Sequence, residues 1–155
     1  MLSKGFTKIE LLIIGGLIFI VLIIDLFVVI YFNNKIHDIR VLSDVNQIRS
    51  GLELYLQTFN YYPEVREPVA LRSSYAETEK LCLAGFKNLG VQCEKNILNP
   101  VPKFYLNGDD YLYLSTDDNK NYKIEFILKT NFRQQGLTKG LNCADNFSLE
   151  SKACF

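Results

Sequence analysis

Hydrophobic positions change their spacing twice along the 155 residues of this chain. From Leu11 to Phe32, 22 residues counting both ends, they are nearly continuous, and Asp25 is the one charged residue among them. At about 1.5 Å per residue such a helix is about 33 Å long, enough to span a bilayer. A cleaved secretory signal would instead have an apolar core of about 7 to 15 residues followed by a small-residue site such as Ala-x-Ala, and neither is present. Beyond Asn33 the pattern thins. Val41, Val45, Ile48, Leu52, Tyr55 and Phe59 follow one another at steps of four, three, four, three and four, which is one stripe of an amphipathic helix. Arg40, Asp44, Gln47, Arg49, Glu53 and Gln57 fall on its polar face. The two segments read as halves of one long helix. Tyr61-Tyr62-Pro63 is predicted to end it, because Pro63 disfavours helical dihedrals at Tyr62.

From Glu64 to Lys103 the chain carries Pro68, Pro100 and Pro102 and reads as irregular connecting material. One short helix is predicted there, where Ser74-x-x-Glu77 forms a capping box ahead of Leu81 to Leu83. Tyr111 to Ser115 and Tyr122 to Lys129 are aromatic and β-branched strand segments, and Asp117-Asp118-Asn119-Lys120 between them is turn chemistry, so they read as a hairpin. In the second strand Tyr122, Ile124, Phe126 and Leu128 share one face, while Lys123, Glu125 and Lys129 lie on the other. That apolar face is the natural cover for the helix stripe. A third strand between Phe132 and Leu149 would complete a small antiparallel sheet. The expected class is α+β.

Length leaves roughly 120 residues beyond the apolar span, enough for one modest core. The 17 basic and 17 acidic residues cancel, which leaves no nucleic-acid footprint. Lys4 and Lys8 before the span favour an inside N-terminus, against Lys35 and Arg40 after it, themselves partly offset by Asp38. The four cysteines, Cys82, Cys93, Cys143 and Cys154, all follow the span. An even number there suggests disulfides and an oxidising, extracytoplasmic compartment. Zinc is the competing reading, but structural zinc sites favour closely spaced cysteines or nearby histidine, and the one histidine is His37 beside the span. Four cysteines allow three pairings, of which Cys82–Cys93 with Cys143–Cys154 is the simplest. Each such loop would contribute on the order of 3 kcal/mol by loop-closure entropy.

Catalytic constellations are missing. There is no nucleophile elbow, no phosphate loop and no His-Glu-x-x-His, so no catalytic, cofactor-binding or metal residue is assigned and no cofactor is expected. Asp109-Asp110 and Asp117-Asp118-Asn119 match no calcium loop and read as turn-forming acids. The chemistry lies at the other end. Glu10 stands at the threshold of the apolar run and Asp25 lies within it, about 21 Å of helix beyond Leu11. A charge carried into a bilayer costs about 2.5 to 3.5 kcal/mol even on insertion scales, so such acids read as functional, with a partner to be named. A cut between Gly5 and Phe6 would create an α-amine on Phe6, which Glu10 of a neighbouring subunit would neutralise.

The run Lys4-Gly5-Phe6-Thr7-Lys8-Ile9-Glu10 followed by the apolar segment resembles the precursors of type IV pilins and type II secretion pseudopilins. Asp44 to Tyr55, closing at Tyr61-Tyr62-Pro63, resembles that superfamily's Ile-x-x-Ala-Leu-x-x-Tyr helix and terminal Tyr-Pro, with Gly51 in the place of the small residue. The resemblance implies a leader over residues 1–5 and a transmembrane, filament-core helix over 6–32. An amphipathic continuation over 33–62 and a globular pilin-like region over 63–155 would follow. It implies cleavage between Gly5 and Phe6 with N-methylation of Phe6 by a prepilin peptidase. The mature chain would be a structural subunit, not an enzyme. Its partners would be other copies and other pilin subunits, the peptidase, a membrane assembly platform and the lipid bilayer. Its place would be the cytoplasmic membrane, N-terminus inside, and then an extracellular or periplasmic filament. Two alternatives stand beside a pilus subunit: a secretion pseudopilin, and a monomeric bitopic membrane protein with a binding ectodomain. A Cys143–Cys154 loop would favour the pilus, since pilus subunits often end in a disulfide-closed loop. Many helices of the superfamily carry a proline part-way along the mature chain; this span has none and has Asp25 near that level.

Overall fold

A computed structural model describes residues 7–72, 75–103 and 110–155. One helix, α1 (Lys8–Phe59), occupies 52 residues at the N-terminal end, and antiparallel sheets follow it, an α+β arrangement. The chain divides into two compact units, Met1–Ile36 and His37–Phe155. In the first, every described residue up to Asn33 is exposed. Its large apolar side chains from Ile9 to Phe32 are between 40 and 76% exposed.

The second unit builds its core on the C-terminal part of α1. Val41, Val45, Ile48, Leu52 and Tyr55 are at most 4% exposed, which is the stripe expected from their spacing. Extended one step of three toward the N-terminus, the same stripe meets Asp38, whose side chain is fully buried. Its Oδ1 accepts the Lys129 backbone N–H at 2.8 Å, and its Oδ2 accepts the Thr130 backbone N–H at 2.7 Å and the Thr130 hydroxyl at 2.6 Å. His37 Nδ1 lies 3.2 Å from Oδ1. A buried carboxylate is tolerated where it is hydrogen-bonded, and here it receives backbone donors at the end of a strand that has run out of ladder partners.

Among the described residues eight strands follow: β1 (Val69–Ala70), β2 (Lys80–Cys82), β3 (Gly85–Lys87), β4 (Asn96–Leu98), β5 (Leu112–Thr116), β6 (Asn121–Leu128), β7 (Gly140–Asp145) and β8 (Leu149–Glu150). The main sheet has the order β1-β5-β6-β7-β8, all antiparallel. Strand β6 alternates half-buried and buried positions along its length, and Tyr122, Ile124, Phe126 and Leu128 are the buried set. The β5–β6 turn holds Asp117, Asp118 and Asn119 in the left-handed region at φ 52, 54 and 64°, a conformation that Asp and Asn adopt more readily than most residues. The third strand is β7, and the two-residue β1 and β8 complete the edges.

Two expectations are corrected. The helix ends at Phe59 and not at Tyr62: Asn60 turns left-handed at φ 61° and its N–H closes on the Leu56 carbonyl at 2.7 Å. The segment expected to be irregular with a short helix contains a three-stranded sheet, β3-β2-β4, in its place. Ser74 lies outside the described residues. Glu77, the other half of the expected box, has φ 54°, which no α-helix accommodates. Leu81 and Cys82 are buried in β2, and Lys80 is 4% exposed, its Nζ donating to the carbonyls of Leu89 at 3.0 Å and of Val91. Pairing on both sides and a satisfied buried ammonium outweigh the local helix signal. This sheet meets α1 at Gly51, where an added Cβ would stand 2.5 Å from Leu98 Cγ in β4.

Tyrosines dominate the interior, and each buried hydroxyl named here finds a partner. Tyr113 donates to the Pro63 carbonyl at 2.8 Å, Tyr111 to Asp44 at 3.0 Å and Tyr62 to Glu53 at 2.9 Å, while Arg49 Nε donates to the Tyr122 oxygen at 3.3 Å. The nominally polar residues Asp44, Arg49 and Glu53 of α1 thus anchor the sheet's aromatic ends. Burial raises the Asp44 carboxyl, an effect that the Tyr111 hydroxyl partly offsets.

Replacing Asp38 by Ala strands the Lys129 and Thr130 donors, and the unfolding free energy of the full chain in detergent is expected to fall by about 3 kcal/mol, read by urea titration. Burial also pushes the phenols of Tyr55, Tyr62, Tyr111, Tyr113 and Tyr122 above their ordinary value of 10, Tyr55 to about 12 with Tyr61 adding to the effect. The unfolded chain therefore releases these protons first. The stability they contribute is fully present below pH 10 and is lost as pH rises toward 12 and beyond. Tyrosinate absorbance and loss of circular dichroism should then rise together in one transition.

Candidate functional site

Helix α1 begins with its own cap. Thr7 Oγ1 accepts the Glu10 backbone N–H at 3.3 Å, and Glu10 Oε2 accepts the Thr7 backbone N–H at 2.7 Å and the Thr7 hydroxyl at 2.9 Å. This is a reciprocal capping box, which satisfies two of the orphan donors at a helix start and places a carboxylate at the positive end of the helix dipole. Only Oε2 is used. Among the described residues Oε1 accepts no hydrogen bond, so the carboxylate can cap its own helix and still receive a cation from outside. Gly5 and Phe6 lie outside the described residues.

Asp25 is exposed on the same helix, 15 residues and therefore about 22 Å beyond Glu10. The two acids do not meet within one chain. Around Asp25 every side chain from Lys8 to Phe32 is exposed, and the most apolar 18-residue window has a mean hydropathy of 3.2 with none of it buried. Helix α1 is long and apolar enough to cross a membrane. Single exposed apolar side chains need no explanation, but a continuous apolar cylinder two dozen residues long does.

At the other end of the chain, Cys82 is bonded to Cys93 and Cys143 to Cys154, with Cα separations of 5.9 and 5.1 Å. The first bridge closes the loop that Lys80 also holds. The second ties the chain end to β7, and the charged face of β6 completes the attachment: Glu125 accepts the Cys154 backbone N–H at 2.9 Å and Lys123 donates to the Cys154 carbonyl at 3.1 Å. Lys123 and Glu125 on that face thus serve as anchors for the C-terminal segment. Asp117 is held by Asn121 at 2.6 Å, Asp109 lies outside the described residues, and no cluster of three potential metal ligands occurs among the described residues.

The buried carboxylate at Asp38 and the buried amine at Lys80 escaped sequence reasoning. Asp38 carried a signal, its register with the apolar stripe. Lys80 carried none. Comparison with protein families, curated proteins and solved structures finds no match to this chain.

Proposed function

We propose that the chain is a structural subunit of a type IV pilus-like filament, inserted in the membrane through α1, cleaved between Gly5 and Phe6 and assembled through the same helix. The observation that carries the reading is the junction itself: Gly5-Phe6-Thr7 and Glu10 directly precede the apolar run of α1, whose side chains are exposed among the described residues. Lipid covers that helix before assembly and neighbouring subunits cover it afterwards. Glu10 is the acceptor for the Phe6 amine of an adjacent subunit. Asp25, costly in hydrocarbon, gains hydrogen-bond donors from neighbouring helices and so makes the filament more favourable than storage in the bilayer. The loop closed by Cys143–Cys154 supports a pilus subunit over a secretion pseudopilin.

Replacing Glu10 by Ala should leave insertion and cleavage intact and lower the filament fraction about tenfold, the loss of about 1.4 kcal/mol of contact energy. Replacing Asp25 by Leu should strengthen membrane retention and also lower incorporation. Immunoblots of sheared filaments against the membrane fraction measure both, and normal filament recovery of both variants would remove the assembly role of these carboxylates.

A further inference from the structure

The turn between β7 and β8 carries a motif that the filament reading does not use. Asn146-Phe147-Ser148 is an Asn-x-Ser triplet without proline, and no other asparagine of the chain is followed two places on by Ser or Thr. Such a triplet accepts N-linked carbohydrate where it lies on the surface of a segment outside the cytoplasm. The surface placement is direct: Phe147 is 83% exposed, and Asn146 and Ser148 are half-buried on either side of it. Asp145 fixes the turn, its Oδ1 accepting the backbone N–H of Phe147 at 2.7 Å and of Ser148 at 2.6 Å. The bridge from Cys143 to Cys154, whose loop contains the triplet, suits an oxidising compartment.

The Asn146 amide can carry a sugar without giving up its place in the fold. One Nδ2 hydrogen donates to Asn121 Oδ1 at 2.8 Å, and a secondary amide keeps that donor when the other hydrogen is replaced. Asn146 also borders a recess of about 320 Å³ whose other walls are Asn46, Arg49, Ser50 and Glu53 of α1. All five side chains end in hydrogen-bonding groups, which suits the hydroxyls of a first sugar ring.

We propose that Asn146 is an N-glycosylation site, modified on Nδ2 outside the cytoplasm. The co-reactant is an oligosaccharide on a polyprenyl pyrophosphate, brought by a membrane transferase. Nδ2 bonds to the anomeric carbon, the bond from that carbon to the pyrophosphate oxygen breaks, the lipid pyrophosphate leaves with the electron pair, and the displaced Nδ2 proton passes to a carboxylate of the transferase. The proposal does not require filament assembly and shares with that reading only the placement of the globular unit. Mass spectrometry of the reduced tryptic peptide 140–152, from full chain purified from its own cells, tests it. A carbohydrate mass localised to Asn146 is expected. It should disappear in Asn146→Gln and in Ser148→Ala and persist in Ser148→Thr, with both disulfides formed in every variant. An unmodified Asn146 in the native chain, or a carbohydrate mass that survives Asn146→Gln or Ser148→Ala, overturns the site. If the disulfides are formed and filaments are recovered, the filament reading stands; an unmodified Asn146 together with free thiols overturns the shared placement as well.

Discussion

From Lys8 to Phe59 the chain forms one helix, while the surroundings that its side chains demand change after about seven turns. Up to Asn33 every described position is exposed and nearly all are apolar; from Asp38 onward a single stripe is buried and the rest is polar. A helix satisfies its own backbone in any solvent, so it is the one element that can pass from hydrocarbon to a packed domain without leaving a donor or acceptor open. The capping box at Thr7 and Glu10 and the left-handed turn at Asn60 close the two ends where that self-sufficiency fails.

Everything downstream is arranged to cover the stripe. The main sheet brings Tyr111, Tyr113, Tyr122, Ile124, Phe126 and Leu128 into one core with it, and the smaller sheet approaches where Gly51 leaves room for Leu98. A core so rich in tyrosine carries many hydroxyls inward, and α1 answers them with Asp44, Arg49 and Glu53. Asp38 performs the converse task, accepting the backbone donors that β6 leaves open at its end. Polar residues of one helix therefore meet the sheet at both ends of β6, at Tyr122 and at Lys129 and Thr130.

Spacing made much of this legible. The steps of three and four from Val41 to Phe59 and the alternation from Tyr122 to Leu128 depend only on backbone periodicity, and they mark the buried faces correctly. The turn at Asp117 to Asn119 was legible because its residue types suit left-handed dihedrals. The β2 strand was not: Lys80, Leu81 and Cys82 have no strand alternation, and the strand forms because β3 and β4 flank it and distant carbonyls accept the lysine. Edge strands of two residues leave no periodic trace at all. In the candidate site, Glu10 and Asp25 stand out by charge against an apolar background.

The central claim is that the exposed helix belongs to a membrane-stored subunit released for assembly by one cut. Intact-mass measurement of the chain purified from its own cells tests it directly. A mature N-terminus at Phe6 carrying one N-methyl group, a net mass gain of one CH2, is expected; an intact Met1, or a cut beyond Phe32, in cells that contain a prepilin peptidase would contradict it.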